Sequence, residues 1–409
     1  MSAVPALRPV RRLVAIVTGG VVGVVVGASA MLVSQGPGPG LTPISAPPDE
    51  QPVASAPLPE ATSNVLSAWT ATTLDPALAY AAGSIDGVDT VSVVRGGLAD
   101  MVVSRDAEGS VVDQPDPGWF VPLDTIAVDP AVHAELAALA DRGTVAALAD
   151  GQALLGRSSA QLRGLVPGDT IELDGGHVLT VAGIVDDTTI GAAELAVNVA
   201  TGELIGVDNP RYLLLTHRAR RAEVESALRA VLPTGVPVQF RAPGEVPFLR
   251  ENDVLLPPVR LKEQFGEFAY QPPDDDVDVD EFLEDVAWQS ENLVERDLPL
   301  IGPVRCHRAV VDAVEGALRE LQANGLETLI EPEGFKGCWN PRLVRNGDDI
   351  SRHAWGIALD LNYDDNPTGL ESVQDPRLVA IFERWGFTSG DTWLKPDAGH
   401  FEYVGPPPG

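Results

Sequence analysis

Three side chains of the kinds that bind zinc lie in two short segments near the C-terminus. His353 and Asp360 are in the first segment, and His400 is in the second. A catalytic zinc site takes three protein ligands and keeps a fourth position open for water, and two imidazoles with one carboxylate fit that requirement. The chain must therefore fold so that both segments meet at one point. Asp397, just before His400, is left as a candidate general base.

Charge and length limit the remaining possibilities. The chain has 409 residues, of which 59 are acidic and 28 basic, for a net charge of -31. Such a surface repels nucleic acid and anionic lipid headgroups, so we predict no nucleic-acid partner. The length is too great for one ordinary core and predicts two to three domains once non-globular segments are removed.

The N-terminus predicts export. A basic segment, residues 1–12, precedes an uncharged apolar run over residues 13–33. At about 1.5 Å per residue that run spans roughly 30 Å as a helix, enough to cross a bilayer. We predict a single-pass transmembrane helix in the cell membrane, with the basic side cytoplasmic and the bulk of the chain extracytoplasmic. A cleaved signal peptide and a secreted product are the alternative, because Ala28-Ser29-Ala30 fits a cleavage site. The proline-rich residues 34–61 predict an extended linker.

The two cysteines, Cys306 and Cys338, would lie in an oxidising environment after export, which favours a disulfide between them. The chain-entropy model gives such a bond about 3 to 4 kcal/mol of stabilisation. Two buried free thiols are the alternative. A zinc role is disfavoured, because structural cysteine sites usually draw four ligands from close pairs.

Residues 62–244 alternate strand-like and helix-like stretches, which predicts a separate α+β domain. Its clearest unit is a hairpin: within residues 165–173 a Pro-Gly turn leads into an alternating strand, and an Asp-Gly-Gly turn connects that strand to a second one over residues 177–185. The segments around Leu154 and Leu165 resemble the periplasmic core domain of MacB-type transporters. That resemblance implies an extracytoplasmic module for contacts with proteins. An uncharacterised spacer domain is the alternative.

Two further stretches carry structural predictions. Alternating aspartates up to Asp280 could bind calcium, but the run lacks the glycine and the distal glutamate of a calcium loop. We favour a solvated stretch in which Asp280 caps a helix that begins near Glu281. Apolar residues at helical spacing predict another helix between Arg305 and Asn324, which ends before Gly325 and forms one wall of the last core.

Residues 255–404 resemble the VanY-like D-alanyl-D-alanine carboxypeptidases and related LAS-type zinc peptidases. The family pattern is Ser-x-His, a glycine, Ala-x-Asp, and later an acid three residues before a histidine that an aromatic residue follows. The residues that match in this order are Ser351, His353, Gly356, Ala358, Asp360, Asp397, His400 and Phe401. The resemblance implies an α+β zinc peptidase domain with a small antiparallel sheet and flanking helices.

The resemblance also implies roles for the matching residues. The three candidate ligands would hold zinc, and Asp397 would activate water from a loop at the rim of the cleft. The implied substrate is the stem peptide of peptidoglycan, cut by a D-alanyl-D-alanine carboxypeptidase or an L-alanyl-D-glutamate endopeptidase. Asp397 has an alternative role, because Pro-Asp-Ala-Gly is a strong turn sequence by itself. Glu402 is the competing base, although a place beside His400 on one strand face suits an orienting partner better.

Substrate recognition rests on an arginine. Related peptidases use one upstream of the first zinc histidine to bind the substrate carboxylate or the developing oxyanion. Arg342 and Arg345 are the candidates, and we favour Arg342 as a catalytic residue over a surface salt bridge. The family's Gly-Tyr-Arg-Ser segment is replaced here by Gly-Cys-Trp-Asn-Pro-Arg, which is a departure. Ser351 either hydrogen-bonds near the metal or begins a strand, and Asp360 alternatively caps a turn with Asn362.

A different class of function is the alternative to the enzyme. It is a wall-binding or transporter-associated scaffold whose C-terminal domain keeps the fold and a zinc site without activity. The complete set of ligands and base favours the enzyme, since a scaffold needs no acid beside a metal-binding histidine. The predicted partners are a peptidoglycan stem peptide, the membrane through the N-terminal helix, and a protein that contacts the middle domain.

Overall fold

A computed structural model describes most of the chain from residue 64 onward. The described residues are 64–71, 73–232, 236–242, 245, 255–273, 280–344 and 349–406. The predicted membrane helix, the proline-rich linker, the aspartates before Asp280 and Arg345 all lie outside them. Among the described residues, no helix has the length and apolar character needed to cross a bilayer.

The fold is mixed α+β, as predicted. The α-helices within the described residues are α1 (Pro76–Gly83), α2 (Pro130–Leu136), α3 (Arg142–Ala146), α4 (Arg157–Arg163), α5 (Val199–Leu204), α6 (Arg221–Val231), α7 (Pro258–Phe265), α8 (Val286–Asn292), α9 (Val311–Ala323) and α10 (Pro376–Arg384). The strands are β1 (Val65–Thr70), β2 (Val88–Arg105), β3 (Val111–Asp113), β4 (Val121–Val128), β5 (Gln152–Gly156), β6 (Thr170–Leu173), β7 (Val178–Val185), β8 (Leu195–Asn198), β9 (Asn209–His217), β10 (Val238–Arg241), β11 (Tyr270–Gln271), β12 (Leu283–Glu284), β13 (Leu293–Leu298), β14 (Gly302–His307), β15 (Ala358–Asp360), β16 (Phe387–Gly390) and β17 (Asp397–Tyr403).

Residues 64–242, which we call the middle region, are built on one ten-stranded sheet. Its first part has the order β10-β1-β9-β2, with antiparallel neighbours throughout. Apolar residues of α1 and α6, such as Leu78 and Leu228, pack with alternate residues of β1 and β9 in one buried cluster. The two helices therefore cover one face of this part of the sheet.

The second part of the sheet closes on itself. Strands β2, β4, β8, β5, β7 and β6 are hydrogen-bonded in that sequence, and β6 pairs back with the far end of β2. Alternate residues of all six strands, such as Met101, Leu123 and Leu155, share one buried cluster. Because side chains alternate between the two faces of a strand, this cluster fills the inside of a small barrel.

The predicted hairpin of the middle region is confirmed. Strands β6 and β7 pair antiparallel, from Thr170 opposite Thr180 to Glu172 opposite Val178. A single 3-10 turn over Asp174–Gly176 connects them. Gly175 has a φ of 76°, a left-handed conformation that favours glycine and explains the Asp-Gly-Gly sequence.

Residues 255–406, which we call the C-terminal region, contain the expected small antiparallel sheet with flanking helices. The sheet has the order β15-β17-β16. Helix α10 covers it through Phe382, whose ring centroid lies 5.0 Å from that of Phe401 on β17. Strands β13 and β14 form a separate antiparallel hairpin.

Of the two helices predicted in this region, one is confirmed and one is misplaced. Helix α9 buries Val314, Leu318 and Leu321 in the core as predicted, and Gly325 follows its end with a φ of 66°. The prediction of a helix from Glu281 is wrong. That residue makes a β-bridge to Arg342, and the helix begins at Val286, where the Asp285 carboxylate caps it by accepting from the amide of Ala287 at 2.7 Å.

The predicted disulfide between Cys306 and Cys338 is confirmed, with a Cα–Cα distance of 5.4 Å. Cys306 lies in β14, and both half-cystines are buried in the core of the C-terminal region. The bond therefore fixes the segment at Cys338 to the β13–β14 hairpin.

Buried charges join the two regions. Glu194 of the middle region accepts from Lys262 of α7 at 2.9 Å and also pairs with Arg163. Arg163 donates in turn to Glu267 of the C-terminal region at 2.8 Å. Two positive and two negative charges thus neutralise one another, and three of them are buried while the Glu267 side chain is 18% exposed. Breaking a fully buried pair such as Arg163–Glu194 costs about 3–5 kcal/mol. The exact domain limits at 244 and 255 stay a prediction, because residues 246–254 lie outside the described part.

Glu284 of β12 is a buried acid, and no described residue forms an ion pair with it at hydrogen-bonding distance. Its side chain is 3% exposed. The Trp339 indole donates to Oε2 at 2.9 Å, while Oε1 is buried and accepts no hydrogen bond from any described residue. Burial raises the pKa of Glu284 to about 8, against the smaller opposing effects of Trp339 and Arg305. The folded protein therefore holds a proton here at neutral pH.

We predict that this proton makes stability depend on pH. The carboxyl of Glu284 has a pKa near 4.5 when unfolded and about 8 when folded, so its contribution is complete below pH 4.5 and is lost as pH rises to 8. Each pH unit in this window costs about 1.4 kcal/mol. Glu284→Gln should remove that slope, so urea unfolding should show it more stable than the wild type near pH 8 and similar near pH 5. The exposed Glu295→Gln is the control, and an equal effect of Glu284→Gln at both pH values would contradict the prediction.

Candidate metal centre

His353 lies on a single 3-10 turn, Arg352–Trp355, that Ser351 caps by accepting from the amide of His353 at 3.4 Å. The turn ends at Gly356, whose φ of 64° favours glycine. A Cβ at residue 356 would also lie 2.9 Å from the backbone nitrogen of His307, so no larger residue fits. The Ser-x-His and glycine parts of the motif therefore build the turn that presents the His353 ring.

Asp360 and His400 meet across the small sheet. Strands β15 and β17 are antiparallel, and Asp360 is directly opposite His400 in the register. Side chains of such a pair lie on the same face of a sheet. Glu402 lies on that face of β17 too, while Phe401 packs on the other face against α10. The Ala-x-Asp and acid-x-x-His segments are thus two paired strands.

The structure brings the three predicted ligands together. His353 Nε2 is 3.3 Å from Asp360 Oδ1, and His400 Nδ1 is 3.2 Å from the same oxygen. All three ligand atoms lie within 4.8 Å of one another, and no other such group of His, Cys, Asp or Glu occurs among the described residues. Tetrahedral zinc with bonds of about 2.1 Å separates its ligands by about 3.4 Å, so the donor set fits this ion.

The outer nitrogen of each imidazole has a separate acceptor. His353 Nδ1 donates to the carbonyl oxygen of Cys338 at 3.0 Å. His400 Nε2 lies 3.5 Å from a carboxylate oxygen of Glu402, which Arg352 approaches to 4.0 Å. With protons on the outer nitrogens, the inner nitrogens of both neutral rings present lone pairs toward Asp360.

The electrostatics of the group favour a positive charge at its centre. Burial raises the pKa of Asp360, but hydrogen bonds with His353 and His400 outweigh it and hold that pKa well below its usual range. Burial lowers the pKa of His400, but Asp360 and Glu402 outweigh it and raise that pKa to about 10. The raised pKa means that His400 carries an extra proton when no metal is bound. A bound cation supplies positive charge at the same place and would displace that proton.

Asp397 is the first residue of β17, opposite Gly390, so its predicted place on a loop is wrong. It interacts electrostatically with all three candidate ligands. A Cβ on Gly390 would lie 3.2 Å from that of Asp397, which shows how closely the two strands approach there. The hydroxyl of Thr368 donates to Oδ1 of Asp397 at 3.0 Å. Burial raises the pKa of Asp397, and His400 and this hydrogen bond oppose the rise.

Arg342 lies close in the fold to the segment that carries His353. The backbone carbonyl of Arg342 accepts from the amide of Ser351 at 3.0 Å, so Arg342 lies beside the segment that leads to His353. Its guanidinium donates to the carbonyl of Leu343 at 3.3 Å. A catalytic role for Arg342 stays a prediction, and Arg345 lies outside the described residues.

Sequence reasoning missed Thr368 and Arg352 at the site, and it interpreted Trp393 as a core or cleft-wall side chain. Thr368 contacts Asp397, Arg352 approaches Glu402, and the ring of Trp393 lies 5.3 Å from that of His400. Arg352 precedes His353 directly in sequence, whereas Thr368 lies 29 residues before Asp397. Only the fold brings it to Asp397.

A comparison with protein families agrees with this site. Residues 345–403 match a family model described as D-alanyl-D-alanine carboxypeptidase. The matched segment contains all three candidate ligands and Asp397. The match supports a peptidase of this type in the C-terminal region. No curated protein matches the chain significantly.

The solved structures that are similar to part of the chain include two from bacteria. The periplasmic region of MacB from Actinobacillus actinomycetemcomitans aligns over 44% of this chain and 89% of its own, with 10% identity and a TM-score of 0.32. The extracellular domain of the noncanonic ABC-type transporter YknZ from Gram-positive bacteria aligns over 40% of this chain and 88% of its own, with 9% identity and a TM-score of 0.28. Both TM-scores are below 0.5, so neither similarity defines the fold or the function of this chain.

We predict that replacing His353 abolishes zinc binding. Replacing a residue that hydrogen-bonds to a zinc ligand typically lowers metal affinity by about 10- to 100-fold. Removing a ligand itself should cost more, so the zinc affinity of His353→Ala should fall by more than about 100-fold. Competition with a chromogenic chelator measures this affinity. His177→Ala in the middle region is the matched control and should bind zinc like the wild type. Tight binding of one zinc ion by His353→Ala would contradict the assignment.

Proposed function

We propose that the C-terminal region is a zinc-dependent peptidase that hydrolyses a peptide bond in the stem peptides of peptidoglycan. The observation that carries the proposal is the meeting of His353 Nε2, Asp360 Oδ1 and His400 Nδ1 at one point, inside the segment that matches a D-alanyl-D-alanine carboxypeptidase family model. Export and membrane anchoring are part of the proposal, since they bring the enzyme to this substrate. A protein partner of the middle region is also proposed.

The roles of the residues follow from their positions. When bound, zinc supplies Lewis-acid polarisation of a carbonyl and a lower pKa for a coordinated water. His353, Asp360 and His400 hold the ion, and the carbonyl of Cys338 and the carboxylate of Glu402 fix the two rings. Glu402 is therefore an orienting partner in this proposal, because its contact is with the outer nitrogen of His400.

Asp397 acts as the base that takes a proton from the attacking water and returns it to the leaving amine. Its Oδ1 accepts from Thr368, while no described residue donates to Oδ2, which leaves that oxygen for the water. Burial raises the pKa of Asp397, which makes the carboxylate a stronger base than an exposed aspartate. Carboxypeptidase and endopeptidase activity are both compatible with these roles, since side chains around the cleft decide which bond enters.

The proposal predicts that digestion of peptidoglycan requires both zinc and Asp397. Proton transfer by a positioned side chain contributes about 10²- to 10⁴-fold, so Asp397→Asn should lower kcat by that factor while it retains zinc. The purified full-length protein is tested zinc-loaded, chelated and as this variant, and mass spectrometry identifies the products. Their masses show which bond is cut. If folded, zinc-loaded wild type releases no fragments, the enzyme is excluded and the scaffold is favoured.

Thr368 provides a second prediction, because its hydroxyl orients the base. Thr368→Val keeps the shape and removes the hydrogen bond to Asp397, whereas Thr368→Ser keeps the donor. A hydrogen bond to a charged group is worth about 1.5 kcal/mol, which corresponds to roughly a tenfold loss of kcat in the valine variant. KM and zinc affinity should stay near wild type in both variants. Equal kcat values for the valine and serine variants would rule out this role.

A further inference from the structure

The loop before β17 connects the candidate metal centre to the middle region. The ring centroid of Trp393 lies 5.3 Å from that of His400, with the ring planes tilted by 50°. The next residue, Leu394, packs against a buried cluster of the middle region that includes Trp69 and Tyr212. Two neighbouring residues of one short loop therefore make different contacts. Trp393 contacts the candidate ligand His400, and Leu394 contacts the core of the middle region.

A second connection reaches the segment before His353. Nη1 of Arg211, on β9, donates to both carboxylate oxygens of Asp349 at 3.0 and 2.8 Å. The Arg211 side chain is 9% exposed and that of Asp349 is 29% exposed, so the pair is partly shielded from water. Asp349 is two residues before Ser351, which caps the turn that presents His353.

The middle region is shaped to make this second contact. A Cβ at residue 96 would lie 2.7 Å from Cδ and from Nε of Arg211. Gly96 is in the interior of β2, where a glycine normally weakens a strand. Glycine is needed at residue 96 because the Arg211 side chain passes over β2 there on its way to the C-terminal region.

The rest of the interface holds the two regions in place. The buried ion pairs of Arg163, Glu194, Lys262 and Glu267 join them far along the chain from the metal motif. The Tyr270 hydroxyl also donates to Asp100 of β2 at 2.7 Å. The middle region therefore contacts Leu394 and Asp349 of the C-terminal region from a position that is already fixed.

We propose, on the basis of the peptidase proposed above, that the middle region positions the metal centre through Leu394 and Arg211. Leu394 holds Trp393 against His400, and Arg211 holds Asp349 at the base of the His353 turn. Both act through another residue and are positioning residues. The middle region is then a working part of the peptidase, and a partner that shifts β9 would change the zinc affinity.

Chelator competition and kinetics on the full chain test this proposal. Leu394→Ala shortens the side chain that supports Trp393. Zinc affinity and kcat should each fall by about tenfold, which is the lower end of the range for residues that orient metal ligands. Leu394→Met conserves volume and should restore both values. Asp349→Asn, which removes the charge at the second contact, should also weaken zinc binding and gives an independent variant if Leu394→Ala does not fold.

Tyr270→Phe is the matched control, because it removes an interdomain hydrogen bond that touches neither segment of the metal centre. It should keep the zinc affinity and kcat of the wild type. The proposal is overturned if Leu394→Ala and Asp349→Asn bind zinc as tightly as Tyr270→Phe. Zinc affinity is measured without substrate, so a wild type that binds zinc and cuts no peptide would refute the peptidase and still leave the positioning testable.

Discussion

The C-terminal region is organised around one carboxylate oxygen, Oδ1 of Asp360, that lies between two imidazole nitrogens. This arrangement requires the β15–β17 register that sets Asp360 opposite His400, and the turn that ends at Gly356 and presents His353. A shift of one residue in that register would move every side chain of the strand to the opposite face. Packing of Phe401 on α10 opposes such a shift, because Phe401 would then lose its place in the core.

The same site also depends on groups that never reach the ligand atoms. The disulfide fixes Cys338, whose carbonyl sets the tautomer of His353, and Glu402 does the same for His400. Two contacts from the middle region, at Asp349 and Leu394, support the segments on either side. Among the described residues of this chain, whose net charge is -31, Arg163 and Lys262 are buried where the two regions meet, and Arg352 lies beside Glu402 near the metal centre.

Local sequence predicted the features that depend on local physics. The hairpin with its Asp-Gly-Gly turn and helix α9 follow from turn residues and spacing, and the structure has both. The ligand trio and the disulfide join distant segments, and they were predicted from the motif that resembles a zinc peptidase family and from the expected export of a chain with two cysteines. The start of α8 was missed because two aspartates close together can each cap a helix, and β-bridging at Glu281 decides between them. Thr368, Leu394 and Arg211 could not be found, since only the tertiary fold brings distant segments into contact.

The most direct test of this account is anomalous diffraction at the zinc edge from crystals of the zinc-loaded protein. The account predicts one peak in the C-terminal region, at bonding distance, about 2.0–2.2 Å, from His353 Nε2, Asp360 Oδ1 and His400 Nδ1, with one coordination position open beside Asp397. A peak elsewhere, or a fourth protein ligand that closes the site, would contradict a catalytic zinc centre. Absence of any peak would contradict zinc binding itself.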